Sequence, residues 1–300
     1  MRVLVTGATG FIGAWVVRAL LDRDHEVVGT FRPGHVPPPD LASHTRFVGW
    51  PADLDDPLAI EALARQARVE RAVHMAWYAE PTTYLSSPRN MDSLAMTATL
   101  ARRLYEHGCQ KIVGIGTCAE YAAKDRPQLE TDPTDPRSLY GVCKRAAFLS
   151  MEALSAQEQK SFAWARIFHV HGPGDPPVRL IPSIVGLLRT GKPVELTDGT
   201  QVRDQLHVSD VGVAIAALAV SDANGVFNVC SGEPVTLRRV VEIVADVLGR
   251  ADLLRFGGRP HRSGDAMYLA GDATRLRHLG WAPRFTLEEG LRNAVEATVS

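Results

Sequence analysis

The feature that most constrains this chain lies at its start. The strand-like run Arg2-Val3-Leu4-Val5-Thr6 passes directly into Gly7-Ala8-Thr9-Gly10-Phe11-Ile12-Gly13, and apolar residues then recur at helical spacing to Arg23. Glycine spacing alone says little, because glycine is common in turns. Between a strand and a helix it means more: the glycines allow a tight turn and close approach of a pyrophosphate to bare backbone, and the helix N-terminus favours negative charge. A side chain at Gly7 or Gly10 should obstruct that approach.

The first half continues the same alternation of short β-branched runs with longer amphipathic ones. Val27 to Phe31 reads as a second strand, Pro37 to Pro39 as a loop, and Arg46 to Val48 as a third strand ahead of Asp53. Ala59 to Ala67 is helical, Arg71 to Ala76 a strand, Leu94 to His107 a helix stopped by Gly108, and Lys111 to Ile115 a strand. Pro127, Pro133 and Pro136 interrupt the chain before a helix from Tyr140 to Leu154 and a strand from Ala163 to Phe168. The character changes at His169, and His171-Gly172-Pro173-Gly174-Asp175-Pro176-Pro177 cannot continue regular structure. Helices follow at Val208 to Val220 and Leu237 to Leu248. The expected fold class is α/β, a doubly wound parallel sheet over residues 1–168 with a smaller mixed α/β unit over 169–300. Part of the latter, residues 205–227, is expected to pack back on the first unit.

The chain has 300 residues, enough to bury a large core without disulfides or metal. Thirty-three basic residues against 34 acidic ones offer no global attraction for nucleic acid or an anionic membrane, so a small molecule is the expected partner. Cys109, Cys118, Cys143 and Cys230 are isolated from one another and from any zinc-ligand spacing, as expected of reduced thiols with no bound metal. No export signal or membrane-length apolar stretch is visible, which makes the cytoplasm the expected location.

Dinucleotide folds commonly end the second strand on an acid that binds the adenosine ribose. Here that strand ends Thr30-Phe31-Arg32, a hydroxyl and a cation suited to a 2′-phosphate, so NADP(H) is favoured over NAD(H). The alternative for Arg32 is an ordinary solvated arginine. Asp53-Leu54 has the position to bind the adenine amino group, or to make a turn or helix cap. Tyr140 and Lys144 stand at i and i+4, hence on one helix face, where an ammonium stabilises phenolate and fits the tyrosine for proton exchange with a carbonyl/alcohol pair. Thr117, just past the strand 111–115, is placed to hold the substrate oxygen.

These residues in this order resemble the extended short-chain dehydrogenase/reductase family, especially its nucleotide-sugar epimerases, dehydratases and 4-ketoreductases. The likeness runs almost end to end, through Thr6 to Gly13, Asp53-Leu54, Val73 to Ala76, Gly116 to Tyr121, Tyr140 to Lys144, Gly172-Pro173-Gly174 and Arg203 to Val211. It implies a Rossmann-type cofactor unit in which Tyr140 is the acid/base, Lys144 lowers its pKa and binds the nicotinamide ribose, and Thr117 bonds the reacting oxygen. Gly7, Gly10, Phe11, Ile12, Gly13 and Ala76 complete the implied cofactor set. It also implies a nucleotide-sugar diphosphate held by Arg203 and Arg262, with Arg179 a weaker candidate at the nucleotide end, and a homodimer through the helices 94–107 and 140–154.

Three departures sort the subfamilies. Sugar 4,6-dehydratases follow the catalytic Thr with Asp-Glu, whereas this chain has Cys118-Ala119; Glu120 is the only nearby acid, a sugar contact or a structural residue. The acid after the second strand, usual in epimerases that retain NAD, is missing. His169 and His171 replace an Asn-x-Tyr pattern, leaving His169 as a substrate donor or a buried neutral imidazole. Trp77-Tyr78 has the place to wall the sugar pocket or to pack in the core. The expected activity is NADPH-dependent reduction of a keto group on a nucleotide-linked sugar, of the dTDP-4-keto-6-deoxy type. Alternatives are a nucleotide-sugar epimerase with tightly bound NAD and, more remotely, a non-catalytic NADP-binding regulator.

Overall fold

Val3, Leu4 and Val5 have no solvent exposure, the mark of a strand covered on both faces. The computed structural model describes residues 1–261 and 264–298 and shows what covers them. The first half comprises β1 (Arg2–Thr6), α1 (Gly13–Leu21), β2 (Glu26–Phe31), α2 (Pro39–Ala42), β3 (Phe47–Pro51), α3 (Pro57–Ala67), β4 (Arg71–His74), α4 (Arg89–Glu106), β5 (Lys111–Thr117), α5 (Leu139–Gln157) and β6 (Ser161–Ile167). The second half adds β7 (His169–His171), α6 (Leu180–Arg189), β8 (Val194–Leu196), β9 (Val202–His207), α7 (Val208–Val220), β10 (Gly225–Val229), β11 (Pro234–Thr236), α8 (Leu237–Val247), β12 (Leu254–Phe256), β13 (Tyr268–Leu269), α9 (Thr274–Arg277) and α10 (Leu287–Ala297).

Seven parallel strands form one sheet in the order β10-β6-β5-β4-β1-β2-β3. The order runs outward in both directions from the β1/β4 boundary, so the chain is doubly wound and its ligand crevice lies beyond the carboxyl ends of those strands. This is a Rossmann-type α/β fold. On one face α1 and α7 bury Val16, Val17, Leu20, Val211, Ile215 and Leu218 against the sheet. On the other, α3, α4 and α5 bury Ile60, Leu63, Leu100, Leu104, Ala147 and Met151.

A third apolar cluster joins α6, α8 and α10 through Ile184, Val185, Leu188, Val240, Val244 and Leu291. Beside it β9 pairs with β7, β11 and β13, and β8 pairs with β12. Although α7 and β10 come late in the chain, they belong to the large sheet: α7 covers it and β10 forms its edge beside β6. No helix among the described residues is long and apolar enough to cross a membrane.

Several boundaries differ from the sequence reading for local reasons. Phe11 and Ile12 stay outside α1, because Ile12 is its N-cap and the loop closes through Ala14 N–H to the Gly10 carbonyl (3.1 Å). Strand β4 stops at His74 rather than Ala76, since the Met75 and Ala76 amides both turn to donate to Thr6 Oγ1 at 3.0 Å. Helix α4 starts at Arg89, five positions before Leu94, because its polar first turns are buried: Asn90 and Ser93 face inward. Pro39, read as loop, opens α2, and His171, read as the start of irregular chain, ends β7.

Candidate active site

The glycine loop is held by its own packing. A Cβ at Gly13 would lie 2.1 Å from the Gly7 carbonyl oxygen, and Gly7 itself sits at φ 67° with Ala76 backbone 3.2 Å from its Cβ position. Only hydrogen fits there, so α1 begins directly under the turn. The Cβ position of Gly10 meets the Gly7 oxygen at 3.2 Å, a milder restriction. The loop opens a cavity of about 1960 Å3 that continues past the ends of β2, β4 and β5 to β9. Single small-molecule pockets fall at roughly 300–1,000 Å3, so this cavity has room for two ligands together.

At one end the cavity is lined by Thr30, Arg32, Asp53 and Leu54. Thr30 is 1% exposed and its hydroxyl has no hydrogen-bond partner. No carboxylate among the described residues lies within ion-pair distance of the exposed Arg32, which lines this end of the cavity with Thr30. With the glycine loop, these residues fit a dinucleotide. Asp53 accepts from Asp55 N–H at 3.1 Å and so shapes a turn, while the cap of α3 is Asp56.

The crevice floor is fixed by a buried chain of hydroxyls around His74. Thr6 Oγ1 lies 2.8 Å from His74 Nδ1, and His74 Nε2 lies 2.8 Å from Thr97 Oγ1, which donates to the Ser93 carbonyl. Since Thr6 Oγ1 already accepts two amides and Thr97 donates onward, the network requires a neutral imidazole protonated at Nε2. Burial pushes its pKa down to about 3. Ala76 and Trp77 follow on the cavity wall, where Trp77 donates its indole N–H to Asn90 Oδ1 at 2.8 Å.

Helix α5 brings the next group. Ser138 caps it by accepting Gly141 N–H, and the Cβ position of Gly141 lies 2.8 Å from the Ala119 carbonyl oxygen, so the first turn of the helix presses on the turn after β5. Tyr140 and Thr117 thereby line the same stretch of cavity. Burial pushes the Tyr140 phenol well above its ordinary value, Tyr84 adds to the rise, and the Thr117 hydroxyl opposes it as a hydrogen-bond partner. Lys144 Nζ donates to the Ile115 carbonyl at 2.8 Å and lies 3.8 Å from the Trp77 ring centroid, against 5.9 Å from that of Tyr140. Burial also brings the lysine down to about 7, against the pull of Glu120.

Of the two readings of Glu120, sugar contact or structural residue, the geometry matches the structural one. Its carboxylate is fully buried, accepts from Thr117 N–H, Trp164 Nε1 and Arg166 Nε, and closes a capping box with Thr117. Charge compensation by Arg166 and the capping geometry together turn it inward, away from the cavity. Cys118 lines the cavity instead, and burial pushes its thiol up to about 12.

The opposite wall carries Arg203, Arg179 and His169. Arg203 is 8% exposed, donates only to its own strand at the Val202 carbonyl and forms no ion pair among the described residues. Arg179 pairs with Asp175 at 2.8 Å and lies over the Phe11 ring of the glycine loop. It therefore stands nearer the cofactor loop than its assignment to the nucleotide end suggests. His169 is a half-buried neutral imidazole: desolvation, then Arg203 and Arg179, press its pKa down to about 3, and its buried Nδ1 has no partner among the described residues. Arg262 lies outside the described residues. Tyr84 lines the cavity beside Tyr140 without having been singled out. Tyr84 sits in a nonrepeating loop, where no periodicity could mark it.

A model of the NAD dependent epimerase/dehydratase family matches residues 3–230. The UDP-glucose 4-epimerase of Corynebacterium glutamicum is 27% identical, over 99% of this chain and 94% of its own. The dTDP-4-dehydro-6-deoxyglucose reductase of Escherichia coli is 24% identical over 98% and 96%. Among solved structures, the UDP-glucose 4-epimerase of Thermus thermophilus in complex with NAD is similar with a TM-score of 0.89 and 26% identity, covering 100% of this chain and 99% of that one. With the family match spanning the glycine loop, Thr117, Tyr140, Lys144 and the whole large sheet, this chain belongs to the NAD dependent epimerase/dehydratase family, the nucleotide-sugar group of extended short-chain dehydrogenases/reductases.

Proposed function

We propose that the protein is an NADPH-dependent ketoreductase acting on a nucleotide-linked sugar, of the dTDP-4-keto-6-deoxyhexose type. The observation that carries this reading is the one cavity lined by Thr117 and Tyr140, by Thr30 and Arg32, and by the largely buried Arg203, which forms no ion pair among the described residues. A largely buried cation calls for an anion, which a sugar-nucleotide diphosphate supplies. When bound, the reduced dinucleotide supplies hydride to the carbonyl carbon. Tyr140 gives its phenolic proton to the carbonyl oxygen, Thr117 donates a hydrogen bond to that oxygen, and Lys144 contacts the nicotinamide ribose. The phenolate left behind is reprotonated from solvent.

Cys118 supports reduction over 4,6-dehydration, because a thiol held near 12 does not exchange protons at neutral pH. Arg32 supports NADP(H). The units 1–168 and 169–300, with 205–227 packed on the first, bring cofactor and substrate together. Exposed Met91 on α4 and Val142 and Leu149 on α5 support a homodimer through these helices, and the four free, buried cysteines suit the cytoplasm. The rival reading is an epimerase with retained NAD, which the epimerase relatives favour. Absorbance and mass analysis after extensive dialysis separates the two: NADP that dissociates, with oxidation of added NADPH by a 4-keto-6-deoxy sugar nucleotide, is the expected outcome. Stoichiometric bound NAD supports the epimerase.

A further inference from the structure

Three donors converge on one carboxylate beside Thr117. Glu120 accepts Thr117 N–H at 2.9 Å, Trp164 Nε1–H at 3.1 Å and Arg166 Nε–H at 2.8 Å, and the side chains of Glu120 and Arg166 are 0% and 4% exposed. Strand β5 makes room for this group. Its Gly114 and Gly116 pair with Trp164 and Arg166 of β6, and a Cβ at Gly116 would lie 2.5 Å from Glu120 Oε1 and 2.2 Å from Trp164 Nε1. Neither Glu120 nor its two partners on β6 line the cavity, so the carboxylate reaches a ligand only through Thr117. A buried ion pair often adds nothing net over apolar side chains of the same volume, so stability alone does not account for one at this place.

Thr117 is the residue that the pair holds. As N-cap of the turn 118–120 it has extended backbone, φ −149° and ψ 149°, with its own N–H given to Glu120 and its Oγ1 accepting Ala119 N–H at 3.2 Å. A hydroxyl carries one proton and two lone pairs. With the acceptor side of Thr117 turned to the amide of the turn, its proton is left for a partner in the cavity that Thr117 lines. We propose that Glu120, held by Arg166, is a positioning residue that fixes Thr117 as a hydrogen-bond donor to the reacting oxygen of the substrate. This rests on Thr117 being that donor in the proposed reduction. A donor fixed before substrate arrives needs no reorganisation as charge develops on the oxygen, whereas a free hydroxyl rotates between donating and accepting.

Steady-state oxidation of NADPH by a dTDP-4-keto-6-deoxyhexose, in variants that remove the buried charges and either keep or remove the acceptor, tests the proposal. Glu120→Met/Arg166→Met replaces the pair by apolar side chains and leaves Thr117 N–H without its partner. Its kcat should fall roughly 10- to 100-fold, with KM for both substrates within about threefold of wild type. Glu120→Gln/Arg166→Met returns an amide oxygen to Thr117 N–H and Trp164 with no guanidinium facing the amide NH2, and should bring kcat back to within about threefold of wild type. In Thr117→Val, which keeps the N–H and lacks the hydroxyl, adding Glu120→Met/Arg166→Met should cost nothing further. If the apolar variant does not fold by circular dichroism, Glu120→Leu/Arg166→Met carries the same expectation. Unchanged kcat in the folded apolar variant, no rescue by Glu120→Gln/Arg166→Met, or an equal loss in the Thr117→Val background overturns the proposal. Failure of the ketoreductase reading looks different: wild type then oxidises no NADPH but interconverts UDP-glucose and its 4-epimer, and the same variants, read on that conversion, still decide the role of Glu120.

Discussion

Lys144 Nζ lies 3.8 Å from the Trp77 ring centroid, so the ammonium of the candidate site rests on an aromatic face and not on the phenol four residues before it. Burial lowers its pKa to about 7. A dinucleotide is anionic and favours the charged form, so binding should draw protons onto Lys144 near and above pH 7. Calorimetry of NADPH binding in buffers of different ionisation enthalpy should show uptake approaching about one proton per chain between pH 7 and 8. Lys144→Met should abolish that uptake; undiminished uptake in the variant removes the assignment.

Gly13 is the least replaceable of the loop glycines. Gly13→Ala puts a methyl 2.1 Å from the Gly7 oxygen and must displace the turn. A loss of about 1–3 kcal/mol in stability is expected, as for overpacking elsewhere, together with cofactor binding weakened by at least about 10-fold. Gly10→Ala should be milder in stability, and urea melts with cofactor titrations check both.

Arg32→Glu should reverse the cofactor preference. It removes the cation proposed for the 2′-phosphate and offers an acceptor for ribose hydroxyls, so NADPH affinity should fall roughly 10- to 100-fold while NADH binding holds or improves. Equal losses for both dinucleotides would mean that Arg32 does not read the phosphate.

Acid should unfold the protein through its neutral histidines. His74 and His171 are buried and have pKa values lowered by burial from 6.5 to about 3. The unfolded chain takes up protons at these positions from about pH 6.5 downward while the folded one does not. Stability is therefore complete above pH 6.5 and lost toward pH 3, with a slope of up to about 1.4 kcal/mol per pH unit from each. Urea midpoints at stepped pH test this, and His171→Leu should flatten the slope. A midpoint constant from pH 7 to 4 contradicts it.

The elements that organise the crevice were legible where local pattern and tertiary role agree. Strand β1, the glycine loop and α7 are read from the sequence nearly as they stand, because continuous apolar runs become covered elements. Thr117, Tyr140, Lys144 and Arg203 all reach one cavity. Legibility failed where polar residues are buried by a partner far away in sequence. The two readings of Glu120 stay open until Arg166 is seen beside it, and the first turns of α4 read as loop until Asn90 is seen tying Trp77 and Tyr84. Tyr84 carries no sequence signal at all, since its packing on Tyr140 is a contact across more than fifty residues.

The central claim is that Tyr140 protonates a sugar ketone reduced by NADPH. The most direct measurement is NADPH oxidation by wild type and Tyr140→Phe with a dTDP-4-keto-6-deoxyhexose, alongside NADPH binding to both. Wild type should turn over, and the variant should lose roughly 10²- to 10⁴-fold in kcat with its NADPH affinity largely kept. Unchanged turnover in Tyr140→Phe, or stoichiometric NAD retained by a wild type that oxidises no NADPH, would contradict the account.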